Sequence, residues 1–222
     1  NTRFGFLEQL VTMVATGRPN SLTITGDGGL GKSYTVYRVL RDLSLEEDHD
    51  YVVCRGAATP KALYRFLYEN RDKIVIFDDC DSVLLSEAAV NLLKAALDTC
   101  ETRTISWRTE RPGDDDTALP NRFNFEGKVM FISNLKLARI PQPLISRSLF
   151  VDVSMTSNEK IDRMRAIAAD VMPSAPLDAK LEVVSLLNEY RDRTADLNIR
   201  TMLKIPEVRW RSPSHGRQVG AY

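Results

Sequence analysis

Residues Gly26-Asp27-Gly28-Gly29-Leu30-Gly31-Lys32-Ser33 spell G-x-x-x-x-G-K-S directly after the apolar, β-branched run Leu22-Thr23-Ile24-Thr25. Strand, glycine loop and helix start, in that order, are what a phosphate-binding loop requires. Glycines let backbone N–H groups turn inward around phosphates where a Cβ would clash. Lys32 is then placed to reach the terminal phosphates, and the Ser33 hydroxyl to ligate Mg²⁺ at the head of the next helix. The stretch from Gly26 to Ser33, with Tyr34 after it, is therefore the expected nucleotide-binding segment. The bland alternative, a glycine-rich turn that happens to precede a lysine, leaves the flanking strand and helix pattern unexplained.

A second constellation closes the run Lys73-Ile74-Val75-Ile76-Phe77-Asp78-Asp79. A continuous apolar stretch ending in acids has the profile of a buried parallel strand, and ligands collect at the C-terminal edge of such sheets. Asp78 is expected to hold Mg²⁺ through water, opposite Ser33, and Asp79 to polarise an attacking water as general base. Asp81 lies beyond the strand and reads as a loop or cap residue.

The elements that must position these groups follow from periodicity. Phe6, Leu7, Leu10, Val11 and Val14 recur at helical spacing before the Gly17-Arg18-Pro19-Asn20 turn. A helix from about Lys32 to Leu43 follows the loop, Tyr51-Val52-Val53-Cys54 reads as a strand, and Thr59-Pro60 opens a further helix. Ser86 caps a helix expected to carry Ala89, Leu92, Leu93, Ala96, Leu97 and Cys100 on one stripe. Thr104 to Trp107 and Phe123 to Phe125 read as partner strands around a polar loop, Arg108 to Asn121. Val129 to Ile132 and Leu149 to Val153 complete a set of strands alternating with helices, which predicts an α/β fold with a parallel sheet covered on both faces. After Val153 the pattern turns helical. Thr156-Ser157-Asn158-Glu159 fits a capping box ahead of Ile161, Met164, Ala168 and Val171; Leu181, Val184, Leu187 and Tyr190 mark the next helix, and another starts near Asn198. The expected organisation is a core over 1–154 with a hairpin insert near 103–126, a helical subdomain over 155–205, and a polar tail over 206–222.

Bulk properties exclude some functions. Thirty Lys and Arg balance thirty Asp and Glu among 222 residues, so any nucleic-acid site must be a local patch rather than a general field. No apolar run approaches a membrane span and no signal peptide opens the chain, which predicts a cytoplasmic protein without a membrane partner. Asn1 in place of Met is expected of a processed or excised piece. Cys54, Cys80 and Cys100 lack metal-ligand spacing and are expected as reduced thiols.

With loop and acid pair in place, roughly residues 1–205 resemble the AAA+ ATPases. The resemblance implies a three-layer P-loop NTPase core with a helical lid, ATP and Mg²⁺ as cofactors, and a homo-oligomer such as a hexameric ring. Asn134, ending Phe131-Ile132-Ser133-Asn134, matches the polar residue that orients water between acid and γ-phosphate in such families; an ordinary turn former is its other reading. The segment Ile140-Pro141-Gln142-Pro143-Leu144-Ile145-Ser146-Arg147-Ser148 looks like the one carrying a trans-acting arginine in clamp-loader-type members, which makes Arg147 the group offered to a neighbour's site, with Arg139 as competitor and a surface salt bridge as the plainer role. Leu197-Asn198-Ile199-Arg200-Thr201-Met202-Leu203 resembles the helix start bearing a second sensor arginine, here Arg200. Two departures stand out. Asp78-Asp79 replaces the usual Asp-Glu, as in certain viral and plasmid helicases, and an insert precedes Val129, resembling the pre-sensor hairpin of some helicases.

The substrate is less determined. Trp107, Arg108, Arg111 and Arg122 could stack on bases and contact phosphates, whereas Asp114-Asp115-Asp116 would repel a backbone. The basic tail (Arg209, Trp210, Arg211, Arg217) could touch nucleic acid or be a disordered terminus. The texture resembles ATPases encoded by tailed phages, which would place the protein in the host cytoplasm. A DNA-associated motor (helicase, helicase loader or clamp-loader-like subunit) is the leading expectation. A protein-remodelling motor, acting on a protein partner, would need an aromatic pore loop where Arg55-Gly56-Ala57-Ala58-Thr59 has none. A small-molecule kinase or nucleotide switch would leave Asn134, Arg147 and Arg200 without a role.

Overall fold

In the computed structural model, residues 2–107, 119–171, 175–194 and 197–203 are described. The chain divides into two compact units, one of residues 2–26 with 32–153, the other of residues 27–31 with the chain from Ser154 onward.

The larger unit is built on five parallel strands: β1 (Ser21–Thr25), β2 (Tyr51–Arg55), β3 (Ile74–Asp78), β6 (Lys128–Ile132) and β7 (Leu149–Asp152), ordered β2-β3-β6-β1-β7. Their β-branched and aromatic residues suit a pleated surface buried on both faces. Alternate residues face opposite ways. Val75, Phe77, Val129 and Phe131 cluster with apolar residues of α3 (Pro60–Glu69), α4 (Ser82–Leu85), α5 (Glu87–Ala96) and α6 (Gln142–Ile145). The register partners Phe77 and Phe131 stack at 5.3 Å. Their neighbours Ile76, Met130 and Ile132 are equally buried on the reverse face. There α1 (Thr2–Thr16) packs on β1 and on α2 (Lys32–Asp42). The α/β sheet with helical cover is the architecture expected.

Local signals explain the boundaries. The Thr59 side chain accepts from Ala62 N ahead of Pro60, and Ser86 accepts from Ala89 N at the head of α5. Lys128 donates to the carbonyls of Val14, at 2.6 Å, and Gly17, at 2.8 Å, and so closes the end of α1. The insert begins with a separate antiparallel ribbon, β4 (Thr104–Ser106) with β5 (Arg122–Asn124), in which Ile105 faces Phe123. Its expected tip, with Arg108, Arg111 and Asp114 to Asp116, lies outside the described residues.

In the smaller unit, α7 (Ser157–Ile167), α8 (Leu177–Glu189) and the helical turn 199–203 enclose Ile161, Met164, Val184, Leu187, Leu197 and Met202. The capping box at Thr156 and Glu159 is formed in full. The tail over 206–222, including Arg209, Trp210, Arg211 and Arg217, lies outside the described residues.

The structure corrects the sequence reading at a few positions. In α1 it is Phe4, not Phe6, that joins the core; Phe6 is half exposed. In α8, Lys180 and Val183 take the inner face and Leu181 faces outward, a rotation that the spacing of apolar residues alone did not resolve. Trp107 is half-buried, packs against the Tyr64 ring at 6.1 Å and against the core cluster, so it is not a free base-stacking platform.

Cys54, Cys80 and Cys100 are free thiols. Cys54 and Cys80 lie 3.7 Å apart, and burial, reinforced by Cys80, pushes the Cys54 thiol up to about 12.

Candidate nucleotide-binding and hydrolysis site

The strand order explains how distant residues meet. With β6 between β3 and β1, whatever follows β6 sits between the loop after β1 and the acids after β3. Asn134 takes that place and uses both ends of its amide. Oδ1 accepts from Lys32 Nζ at 2.7 Å, while Nδ2 donates to Asp79 Oδ1 at 2.7 Å. Lys32, buried at the first position of α2, also donates to the Gly26 carbonyl at 2.7 Å. Asp79 and Asn134 are exposed, so the carboxylate and amide are open to a reactant arriving at the sheet edge.

Asp79 lies just past β3 with φ of +53°, the left-handed region that few side chains other than Asn and Asp enter readily. Its N–H donates to the Ile132 carbonyl at 3.1 Å, which stabilises the turn. One residue earlier, Asp78 is buried and accepts from two hydroxyls: Ser33 Oγ on Oδ1 and Tyr37 Oη on Oδ2, each at 2.7 Å. Burial, with the Asp78 carboxylate beside it, raises the Tyr37 phenol above its ordinary value, so Tyr37 keeps its proton and donates a hydrogen bond. Asp81 is not a side-chain cap. It accepts from the buried Ser133 hydroxyl at 2.6 Å and so fixes the turn that presents Asn134.

Ser33 and Asp78 form a pair of hard oxygen donors at a helix start, the set through which Mg²⁺ is held alongside substrate phosphates; the residues fit the ion. Among the described residues no group of three or more His, Cys, Asp or Glu is placed to hold a metal ion without a ligand's help. The N-terminus of α2 with a buried lysine fits a polyphosphate equally well.

Within the smaller unit, the loop segment 27–31 is tied to the helical residues of that unit. Ile199 N donates to the Gly29 carbonyl at 3.0 Å, and Lys160 pairs with Asp27 at 2.8 Å. Gly29, at φ +69°, could not carry a Cβ, which would lie 2.8 Å from Asn198 Cγ. Gly31 has φ +88°. Asn198 caps the helical turn through Thr201 N at 2.9 Å. Leu30 is buried, and Tyr34 in the larger unit is half exposed.

Lys32, Ser33, Asp78, Asp79 and Asn134 are thus brought together by hydrogen bonds. Arg147 is not part of that network: it is exposed after α6 and donates to the Pro143 carbonyl of its own turn at 3.0 Å. Arg200 is exposed on the smaller unit. Tyr37 and Arg55 escaped the sequence reading. A signal existed for Tyr37, one helical turn after Ser33 and hence on the same face.

No family model matches the chain. It is 28% identical over 225 residues to an uncharacterised 36.7 kDa protein of Enterobacteria phage T4, from the nrdC–mobD intergenic region, with 93% of this chain and 69% of that protein covered. Among solved structures it is similar to the RuvB Holliday junction branch migration motor of Thermotoga maritima. The identity is 16% and the TM-score 0.52, with 93% of this chain and 68% of that one covered. No helix among the described residues is long and apolar enough to cross a membrane.

Proposed function

We propose that this chain, whose fold is that of the AAA+ P-loop ATPases, binds ATP with Mg²⁺ and hydrolyses it as part of a DNA transaction. The observation that carries the reading is the amide of Asn134 spanning Lys32 and Asp79. A lysine for the phosphates and a carboxylate for water are held at the two ends of one rigid group. In this reading the backbone of Gly26 to Gly31 cradles the phosphates, and Lys32 releases the Gly26 carbonyl to neutralise their terminal charge. Ser33 and Asp78 hold Mg²⁺, which supplies Lewis-acid polarisation of the phosphoryl oxygens when bound. Asp79 accepts the proton of the attacking water, with Asn134 fixing the carboxylate's orientation. Arg147 acts on the site of a neighbouring copy, which makes the active form an oligomer, and Arg200 reports from the lid on the state of the phosphates.

The DNA role draws on the likeness to a branch migration motor and on the ribbon of β4 and β5, an insert on the core. The resemblance to a phage protein fits action in a host cytoplasm. The test is the ATPase rate with single-stranded DNA, duplex DNA or unfolded protein, with mass measured in parallel. Stimulation by DNA with ATP-dependent assembly is expected. Stimulation by unfolded protein alone would replace the DNA reading with a remodelling one, and a monomer indifferent to all three would overturn the motor.

A further inference from the structure

A carboxylate's terminal torsion is broad, so a metal-holding aspartate left to itself samples many orientations. Asp78 is not left to itself. Ser33 and Tyr37, one turn apart on α2, donate to its two oxygens separately, Oδ1 and Oδ2, each at 2.7 Å. Tyr37 is in turn held from two directions. Arg55, the register partner of Asp78 on β2, donates from Nη2 to the phenol oxygen at 3.3 Å and lies 5.7 Å from the ring centroid. Tyr51, from the start of the same strand, stacks on the ring at 6.4 Å and 19°. Arg55 Nε also lies 3.9 Å from Oδ2.

We infer that Tyr37 is a positioning residue for the Mg²⁺ carboxylate, with Arg55 as its clamp. The inference rests on the reading of Ser33 and Asp78 as the metal pair. Held at both oxygens, the carboxylate keeps its Oδ1 edge on the Ser33 side, where a cation, or a water bound to it, would be met. Mg²⁺ keeps several of its waters and tolerates little departure from ideal geometry, so a carboxylate of fixed orientation would suit it better than the more adaptable Ca²⁺. Tyr37 thereby contributes to the choice of metal without touching it.

The test is equilibrium binding of a fluorescent, non-hydrolysable ATP analogue in EDTA, in Mg²⁺ and in Ca²⁺. Tyr37→Phe removes one oxygen and keeps the ring. It is expected to leave affinity in EDTA unchanged and to cut the enhancement by Mg²⁺ about tenfold, the scale on which outer partners of metal ligands act. The Mg²⁺ over Ca²⁺ preference should narrow with it. Arg55→Gln keeps the phenol and should lose a smaller part of the enhancement. If Asp78→Asn abolishes the enhancement while Tyr37→Phe keeps it in full, the inference about Tyr37 is wrong and the metal pair stands. An unaltered enhancement in Asp78→Asn overturns the metal pair and the inference together. Equal weakening by Tyr37→Phe in EDTA and in Mg²⁺ also overturns it, since that is the mark of a helix packing defect.

Discussion

At the scale of single residues, the site works through side chains with two functional ends. Asn134 accepts at one end of its amide and donates at the other, so neither aspartate nor leucine of similar size could replace it. Asp78 likewise divides its two oxygens between Ser33 and Tyr37. Cys54 illustrates the opposite case, a reactive group type kept inert by its surroundings. Its raised value, about 12, favours the neutral thiol at every pH below that, and the thiolate is the species that reacts. A thiol reagent at pH 8 should therefore label the exposed Cys100 rapidly and Cys54 slowly, with Cys54 labelling rising as pH climbs towards 12. Peptide mass mapping of the labelled protein checks this; fast labelling of Cys54 at pH 8 would contradict the burial.

At the scale of elements, what could be read from sequence was local. The glycine loop, the apolar run into Asp78, the Ser86 cap and the Thr156 capping box all declare themselves within a few residues. The face that a helix turns inward did not, because it depends on its partners: Phe4 displaces Phe6, and Val183 displaces Leu181. The use of Arg55 beside Asp78 was hidden for a related reason, since it depends on strand register rather than on neighbours in the chain. The base of the ribbon formed by β4 and β5 also rests on a long-range contact. Arg103, buried, donates to the carbonyls of Ala96 at 2.9 Å and Gly127 at 2.8 Å and lies over the Phe125 ring. Burial lowers the affinity of its guanidinium for the proton, opposed by the nearby charge of Glu126. Arg103→Met keeps the apolar stem but strands two carbonyls. It should destabilise the fold by about 2–4 kcal/mol in chemical denaturation, from the loss of two charge-assisted bonds in a buried setting. A change below 1 kcal/mol, roughly the worth of one ordinary bond, would mean that water replaces the guanidinium.

At the scale of the whole molecule, the strand order β2-β3-β6-β1-β7 is what converts scattered motifs into one network. The motifs were legible in the chain, but their convergence was supplied by the resemblance to a known architecture rather than by spacing. Arg147 stands apart from that network, bonded to its own turn, and the proposed role in another copy's site can be tested directly. Arg147→Ala should leave nucleotide affinity intact and reduce turnover about a thousandfold or more, as for arginines supplied in trans. Mixing it with wild-type subunits should depress the rate more than in proportion to the mutant fraction. Proportional loss, or a mutant that turns over at the wild-type rate, would make each copy self-sufficient.

The left-handed backbone at Asp79 has a consequence for which sequences this turn can accept. Asparagine enters that region at least as readily as aspartate, so Asp79→Asn removes the charge and leaves the turn relaxed. Glutamate, one methylene longer and without the short side chain's local bond to its own backbone, pays a steric penalty there of about 1–2 kcal/mol. The usual Asp-Glu pair and this Asp-Asp pair are therefore not interchangeable letters. The mutational route between them passes through the conformation of the turn, and a chain that exchanges one for the other either bears that strain or relieves it by shifting its backbone.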